Sequence, residues 1–269
     1  DNADYNSDPD LFLDATTNSL VMLNREVRGG VNVIERTTSA DGINWTTPID
    51  ILEEPNHQLI SPAIVTRPGR PTLMWVVDAG NGCANRTSQV VMRRWRGATD
   101  LSPDADHHWS KPTVTSLAQP GYVIWHLDVT YVTELQEFWA IYPARDTAEA
   151  RCTVGNQLFV ARSSDGVHWQ TFDKPVLTTG VTPWASRTLY RSSMVYDQAR
   201  ERLRVWLSAA ANDGGWYLGY AEVPILGTAP AGTEVTALSQ DGTRGAGVPP
   251  MRPPKTRSIL SRMVKDSFP

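Results

Sequence analysis

The sequence predicts an all-β protein, a β-propeller of four-stranded antiparallel blades with four blades visible. Helical periodicity is almost absent, and short runs of Val, Ile, Leu, Trp and Tyr are bounded by Gly, Pro, Asn and Asp. SADGINW at 39–45 returns as SSDGVHW at 163–169, and a degenerate form, PDADHHW, ends at Trp109. The closing tryptophans, Trp45, Trp109 and Trp169, are 64 and 60 residues apart. That spacing accommodates four strands and their turns, the size of a propeller blade.

The repeats can be superimposed strand by strand. The innermost strands are predicted as DPDLFLD (8–14), SPAIVTR (61–67), HLDVTYV (126–132) and RSSMVYD (191–197). Second strands follow as SLVMLNR, PTLMWVV, EFWAIYP and RLRVWLS, and third strands as VNVIERT, SQVVMRR, QLFVARS and WYLGYAE. Fourth strands begin near the closing tryptophans, and the last copy is degenerate around TEVTAL.

These repeats predict a propeller domain over residues 1–238, with blades at about 4–55, 56–118, 119–180 and 181–238. Residues 239–269 form a tail rich in Pro and Gly, which from Gly242 on holds six basic residues and one acidic residue. We expect a linker or an exposed terminus there, with a partner-docking segment as the alternative.

Composition excludes several function classes. The formal net charge is −4 and the charges of both signs are interspersed, which argues against a nucleic-acid-binding face. No apolar run approaches the roughly 18 residues that a membrane span requires. Ten Trp and eight Tyr against five Phe suit sugar or peptide surfaces, although core packing accounts for many such rings.

The starts of the innermost strands carry the strongest site signal. In a propeller these strands converge on one mouth of the central channel. When the repeats are superimposed, the first layer of the mouth contains Asp8, Ser61, His126 and Arg191. Two residues deeper, and on the same face because side chains alternate along a strand, a second layer contains Asp10, Ala63, Asp128 and Ser193. Packing alone does not favour carboxylates, an imidazole and a guanidinium at the starts of successive inner strands. Turn-capping in the S-D-P-D segment is the alternative role of Asp8 and Asp10.

Two cysteines lie at comparable places in adjacent blades. Cys83 and Cys152 belong to the long loops between second and third strands, and such loops of neighbouring blades can meet at the channel face. We expect a disulfide between them, which would indicate an oxidising, extracellular setting. Two reduced, unconnected thiols are the alternative.

Several phrases resemble a known family. NSDPDLFLD, LISPAIV, WHLDVTYV, LFVARSSDGVHW and LYRSSMV are similar to segments of the five-bladed propellers of arabinanase-like glycoside hydrolases, and more closely to propeller domains of bacterial and phage surface or tail proteins. The similarity covers residues 4–222. In such relatives a blade rich in His-Pro and Asn-Pro turns precedes the NSDPDL-like segment. The resemblance therefore implies that this chain holds the last four blades of a five-bladed ring, with the other blade upstream, in a separate piece or replaced by the tail.

The resemblance also implies catalytic residues. Arabinanase-like enzymes carry a base Asp on the first inner strand, a second Asp that orients and tunes, and an acid Glu on a further blade. Asp8 or Asp10 matches the first, and Asp128 is the second carboxylate. No Glu stands at an inner-strand mouth, so the acid would be Asp128, Asp78, Glu149 or a residue of the missing blade.

Further residues are predicted to bind substrate at the mouth. His126 and Arg191 lie in the first layer, Arg25 and Tyr142 end second strands nearby, and Trp125 and Trp184 precede inner strands and could stack on a sugar ring. Packing between blades is the alternative for both tryptophans. The resemblance implies a possible channel calcium ion with His126 as a ligand, against a hydrogen-bonded core histidine.

Together these observations predict a glycan-directed propeller, a glycoside hydrolase or a hydrolase-derived module acting on a bacterial or plant-type polysaccharide. The alternatives are a non-catalytic carbohydrate-binding or host-recognition propeller of a phage tail or cell-surface assembly, and a purely structural propeller. The predicted location is extracellular, secreted or on a virion surface.

The repeated SSDGVHW segment itself is predicted to be structural. It resembles the Asp box of sialidase-type propellers with one residue fewer. We expect Asp165 to accept backbone N–H bonds, Gly166 to adopt a positive φ, and Trp169 to pack against the blade.

Overall fold

The computed structural model describes residues 4–83, 86–96, 101, 109–226 and 229–230. Its strands form four antiparallel sheets. In each sheet the strand order follows the sequence from the innermost strand outward, except that the third sheet has one additional short strand, which pairs with the same strand as the innermost one does. The all-β propeller prediction is confirmed. Among the described residues no helix has the length and apolar character needed to cross a membrane.

The four sheets are the four predicted blades. The first contains β1 (Tyr5–Asp14), β2 (Ser19–Arg28), β3 (Val31–Ser39) and β4 (Ile49–Pro55), and the second contains β5 (Ile60–Arg67), β6 (Arg70–Asp78), β7 (Gln89–Arg94) and β8 (Thr113–Val114). The third contains β9 (Tyr122–Ile124), β10 (Asp128–Val132), β11 (Glu137–Asp146), β12 (Gln157–Ser163) and β13 (Gln170–Thr171). The fourth contains β14 (Thr188–Asp197), β15 (Arg202–Ala210), β16 (Trp216–Leu226) and β17 (Ala229–Pro230).

Apolar side chains hold successive blades together. Leu23 and Ile34 of the first blade pack with Met74 of the second in one buried cluster. A second cluster joins the second and third blades, and a third joins the third and fourth. Within the described residues no corresponding cluster joins the fourth blade to the first.

Each innermost strand is irregular at the same level. The pairing register shifts between Ser7 and Asp10 in β1, between Ile60 and Ala63 in β5, and between Leu189 and Ser192 in β14. In the third blade, the pairing with β11 is interrupted between Ile124 and Asp128. Bulges of this kind redirect side chains, and they coincide here with the predicted channel mouth.

The repeated segments at 39–45 and 163–169 form turns, the rim turns, and these have the predicted structural role. Asp165 Oδ1 accepts hydrogen bonds from the backbone N–H groups of Val167 and His168, both at 2.8 Å, and Gly166 has φ +79°. The Gly166 carbonyl accepts the indole N–H groups of Trp75 (2.8 Å) and Trp169 (3.1 Å). This turn of the third blade is therefore fastened to the core of the second blade.

The predicted disulfide between Cys83 and Cys152 is present, with the two Cα atoms 5.4 Å apart. It ties the long loops of the second and third blades. The predicted strand around TEVTAL and the tail at 239–269 lie outside the described residues, and the short β17 is the outermost described strand of the fourth blade.

Candidate functional site at the channel mouth

Asp8 is the centre of the channel mouth. Its Oδ2 lies 3.8 Å from Arg25 Nη1, and its Oδ1 lies 3.4 Å from Arg191 Nη1 and 3.3 Å from His126 Nδ1. The backbone N–H of Ser61 also donates to Oδ2, at 3.2 Å. Residues of all four blades therefore meet at one carboxylate, counting Asp8 itself on β1. Asp8 and Ser61 have φ of 56° and 53°, so both mouth residues sit in the left-handed region.

Asp8 is held ionised. Burial alone would raise its pKa, but the facing His126 imidazole and the Arg191 and Arg25 guanidinium groups outweigh burial and hold the pKa of Asp8 well below its usual range. A carboxylate so enclosed by donors is an anchor for its neighbours.

His126 is a buried imidazole with one ring nitrogen hydrogen-bonded and the other without a hydrogen-bond partner among the described residues. Ser61 Oγ lies 2.6 Å from His126 Nδ1, and the ring of Tyr190 meets the imidazole edge-on with centroids 4.3 Å apart. Burial lowers the pKa of His126 against the opposing pull of Asp8, which favours the neutral form. His126 Nε2 is buried and has no hydrogen-bond partner among the described residues. A buried nitrogen without a hydrogen-bond partner is a polar atom that the described residues leave unsatisfied.

Two further carboxylates lie one layer deeper. Asp10 accepts the backbone N–H groups of Ile64 (2.7 Å) and Leu11 (3.0 Å), and Asp128 accepts that of Met194 (3.3 Å). Each carboxylate thus reaches from its own inner strand to that of the next blade.

The protonation of Asp10 and Asp128 is linked. Burial, and after it the negative charge of Asp10, raise the pKa of Asp128 to about 7. Burial also raises the pKa of Asp10, while Arg191 and the two backbone donors oppose the rise. Two carboxyl groups that influence each other in this way favour a state with one ionised and one protonated member near neutral pH.

Arg191 spans the mouth from the fourth blade. Besides its contact with Asp8, its Nη2 donates to the carbonyl of Pro9 at 2.8 Å and lies 3.5 Å from that of Pro62. Its backbone carbonyl accepts Ser208 Oγ at 2.9 Å. It links the fourth blade to the first and second across the channel.

Aromatic side chains flank the mouth. Trp125 Nε1 donates to Tyr190 Oη at 3.3 Å, and the Tyr190 ring meets Trp216 edge-on at 5.2 Å. The Arg145 guanidinium lies 5.7 Å from the centre of the Trp125 ring and donates to the carbonyl of Cys83 at 3.1 Å. The disulfide loop therefore supports the position of Trp125.

The structure corrects the predicted role of Tyr142. Its side chain is fully buried in the cluster between the second and third blades, and its hydroxyl donates to Gln119 Oε1 at 2.9 Å. It has no surface with which to contact a ligand. Trp184 is half-buried and packs in the cluster between the third and fourth blades, against Gly219, so the structure places it in packing between blades. The other predicted mouth residues, Asp8, Asp10, Arg25, His126, Asp128 and Arg191, are brought together.

Sequence reasoning missed Tyr190 and Tyr5. Tyr190 precedes Arg191 inside the bulge of β14, and Tyr5 Oη accepts a hydrogen bond from Arg25 Nη2 at 3.3 Å. Adjacency to Arg191 was the available signal for Tyr190. The two-residue period of a regular strand placed its side chain away from the mouth, and a bulge breaks that period.

A cation does not fit the mouth residues. The Asp8 carboxylate faces two guanidinium groups, which repel a metal ion, and His126 Nδ1 is already engaged. The described residues contain no group of three or more His, Cys, Asp or Glu side chains suited to holding a metal. The predicted channel calcium stays a prediction.

Comparison with known proteins connects this fold to carbohydrate-active enzymes. No family model matches the chain. The A type blood N-acetyl-alpha-D-galactosamine deacetylase of Flavonifractor plautii is 30% identical over 171 residues, which cover 58% of this chain and 21% of that protein. This chain therefore matches about a fifth of the length of that curated relative.

Solved structures share the fold at lower identity. An N-acetylgalactosamine deacetylase from F. plautii, crystallised with blood group B trisaccharide, aligns with TM-score 0.69 and 23% identity over 81% of this chain and 72% of that one. A thermostable family-43 glycoside hydrolase aligns with TM-score 0.62 and 12% identity over 89% of this chain and 76% of that chain. An alpha-L-arabinofuranosidase from Lactobacillus brevis aligns with TM-score 0.59 and 14% identity over 87% of this chain and 72% of that chain. At these identities the structural matches establish the propeller fold that this chain shares with carbohydrate-active enzymes.

Proposed function

We propose that this chain is a glycan-directed hydrolase whose substrate binds at the channel mouth. The observation that carries the proposal is the pair of carboxylates Asp10 and Asp128 beneath the mouth, reaching from different blades and influencing each other's ionisation. The proteins to which this chain is similar support a sugar ligand, because they include N-acetylgalactosamine deacetylases and a glycoside hydrolase.

The two carboxylates divide the acid and base roles. Hydrolysis of a glycosidic bond needs one carboxylic acid to protonate the leaving group and one carboxylate to act as base or nucleophile. Asp128, with its pKa raised to about 7, is the proton donor. Asp10, which accepts two backbone N–H bonds, is the ionised partner. Asp8 serves as the anchor that orients Arg191 and His126, since its oxygens are already engaged.

A second candidate reaction is removal of an N-acetyl group from a sugar. The 30% identity to an N-acetyl-alpha-D-galactosamine deacetylase favours it. Amide hydrolysis also needs a base for water and an acid for the leaving amine, so Asp10 and Asp128 would serve it equally.

One assay panel separates these reactions. The chain is incubated with arabinans, bacterial surface polysaccharides and oligosaccharides ending in N-acetylgalactosamine, and both reducing ends and free acetate are measured. Reducing ends indicate glycosidic cleavage, and acetate indicates deacetylation. Asp128→Asn should reduce the observed rate by about 100-fold or more, because general acid catalysis contributes about 10²–10⁴-fold. A glycan array that shows binding without either product would support the host-recognition alternative, and an array without any signal would overturn a glycan-directed function.

We also propose an extracellular setting, either secreted or on a bacterial or virion surface. The Cys83–Cys152 disulfide supports it, because disulfides persist mainly in oxidising compartments. The same thiol pair would be reduced in a protein that works in a reducing cytosol. Electrophoresis of protein from its source, alkylated before and after reduction, tests this proposal.

A further inference from the structure

The outer edge of the second blade carries a groove that is lined by positive charges. The groove has a volume of about 490 Å³. Its charged lining residues, Arg94, Arg96 and Lys111, are all exposed. Ser110 and Thr113 add hydroxyl groups, and the described residues that line the groove include no carboxylate. The groove is therefore a concentration of positive charge on a protein whose formal net charge is −4.

Strand alternation directs the two arginines to one face of the second blade. Met92, Arg94 and Arg96 alternate along the chain, and Met92 packs in the cluster between the second and third blades. The intervening Arg93 is ion-paired with a glutamate of the first blade, and Trp95 belongs to the cluster between the first and second blades. A strand rises about 3.3 Å per residue, so the Cα atoms of Arg94 and Arg96 are about 7 Å apart.

Backbone contacts fix the base of the groove. The Ser110 N–H donates to the Arg94 carbonyl at 2.8 Å, and Ser110 Oγ accepts the Arg94 N–H at 2.9 Å. Next to them, Trp95 pairs with Trp109 in a β-bridge, and their ring centroids lie 5.0 Å apart. A site on such an ordered backbone loses less conformational entropy when a ligand binds.

The cations of the groove differ from other surface arginines in having no ion-pair partner. Several arginines at the surface of the molecule are paired with carboxylates, namely Arg28, Arg151, Arg200, Arg202 and Arg204. Across the described ranges, no carboxylate lies at ion-pair distance from Arg94, Arg96 or Lys111. Cations that line one groove repel each other, and a bound anion offsets that repulsion.

The groove lies on the side of the propeller opposite the channel mouth. β5 and β7 are each antiparallel to β6, so they run in the same direction. The mouth is at the start of β5, near Ser61, whereas the groove is at the end of β7, at Arg94. The groove therefore shares no residue with the mouth and is a second site.

We propose that this groove binds an acidic polysaccharide through its carboxylate or phosphate groups. A guanidinium group can donate two parallel hydrogen bonds to either anion. Three cations suit a polymer with at most one charge per sugar. A nucleic acid strand carries a charge about every 3.4 Å, and the net negative charge of the rest of the protein would repel it. The choice of a glycan rests on the proposed function, whereas the preference for an anion rests on the groove alone.

Binding measurements on this chain test the proposal. Polygalacturonate, its neutral methyl ester and phosphomannan are titrated into wild type and into Arg94→Gln/Arg96→Gln, with calorimetry as the readout. The matched control, Arg151→Gln/Arg200→Gln, removes the same charge from side chains that are 71% and 58% exposed and already paired. Asp128→Asn reports on the mouth, and a thymidine oligonucleotide tests the other class of polyanion.

Wild type should bind at least one of the two acidic polymers, and the methyl ester at least about tenfold more weakly than polygalacturonate. Arg94→Gln/Arg96→Gln should bind the acidic polymer at least about tenfold more weakly than wild type, because charge-assisted hydrogen bonds are lost. The control and Asp128→Asn should bind it within about twofold of wild type.

Unchanged binding by the groove variant, or no wild-type binding to either acidic polymer, would overturn the proposal. So would loss of binding in Asp128→Asn, which would place the ligand at the mouth. An oligonucleotide bound as tightly as the polysaccharides, and lost in the groove variant, would also overturn it. Absence of any reaction at the mouth would instead overturn the proposed function, while a loss confined to the groove variant would still support this second site.

Discussion

The rim turn at 163–169 and the channel mouth around Asp8 are both organised by a carboxylate that faces several donor groups, but the two carboxylates have different roles. In the rim turn, a carboxylate of Asp165 accepts backbone N–H bonds within its own turn. At the mouth, the carboxylate of Asp8 instead faces Arg25 of its own blade and one residue from each of the other three blades, Ser61, His126 and Arg191. The hydrogen bonds of the rim turn are local, and this turn occurs twice in the sequence.

The contrast distinguishes scaffold from site. The turn recurs at 39–45, where Asp41 Oδ1 accepts the N–H groups of Ile43 and Asn44, each at 2.8 Å. The mouth positions instead carry four different side chains at one level of four similar strands. In these repeats, the turn residues that recur hold the fold, and the residues that differ at equivalent positions give the mouth its mixture of charges.

Loss of the central carboxylate should have the largest effect. Asp8→Asn leaves the Arg25 and Arg191 guanidinium groups without their shared counter-charge. We expect the free energy of unfolding at pH 7 to fall by about 3–5 kcal/mol, measured by urea denaturation. Because the pKa of Asp8 is lowered in the folded state, this contribution is present above pH 3.8 and is lost as the pH falls below it. An Asp14→Asn control at an exposed turn should cost about 1 kcal/mol or less. Equal costs would show that the mouth is held by something other than Asp8.

The deeper carboxylate should show the opposite pH dependence. The pKa of Asp128 is raised from 3.8 to about 7, so the folded state keeps its proton longer than the unfolded chain does. The resulting stabilisation is complete below pH 3.8 and is lost as the pH rises to about 7. Asp128→Asn removes this titration. The stability of the variant relative to wild type should therefore rise between pH 4 and pH 8 by up to about 4 kcal/mol.

Urea denaturation across that pH range checks this prediction, and Asp10→Asn provides a matched variant. Since the charge of Asp10 contributes to the raised pKa of Asp128, removing it should move the pH dependence to lower pH. If the free energies of unfolding of Asp128→Asn and wild type changed in parallel with pH, the assignment of Asp128 as the proton donor would be contradicted.

The two rim turns should respond unequally to the same substitution. A Cβ at Gly166 would lie 2.6 Å from Trp75 Cζ2, in a fully buried ring, whereas a Cβ at Gly42 meets Leu20 Cδ1 at 3.3 Å. Both glycines have positive φ, +79° and +72°. Gly166→Ala should cost about 2–4 kcal/mol and Gly42→Ala about 1 kcal/mol, since the first adds overpacking to backbone strain. Thermal and urea denaturation of both variants measure the difference. Similar losses would mean that the Trp75 contact is not important.

The smallest effect is expected inside the blade interface. Tyr142→Phe removes one buried hydrogen bond to Gln119 and should cost about 1 kcal/mol in unfolding free energy. Glycan affinity, measured by calorimetry on any ligand found in the array, should not change, because the side chain is fully buried. A changed affinity would restore Tyr142 to the site.

The sequence allowed the blade register, the rim turns and six of the mouth residues to be predicted. The repeat aligned Asp8, Ser61, His126 and Arg191, and alignment sufficed because equivalent strand starts converge. Tyr142 was assigned wrongly, since a place at the end of a strand does not reveal which face is covered by the next blade. Tyr190 was missed because a bulge alters the alternation of faces. The mutual influence of Asp10 and Asp128 depends on distances across the channel, which no strand pattern contains.

The interruption of every inner strand at the mouth has an evolutionary consequence. A residue inside a bulge does not belong to the regular pairing on either side, so its side chain can be replaced without changing the partners of the rest of the strand. Each blade then contributes one replaceable side chain, and the four blades bring these side chains together at the mouth. Substitutions confined to the bulges would therefore change the charges at the mouth, while the paired positions beneath it, which include Asp10 and Asp128, would keep their strand partners.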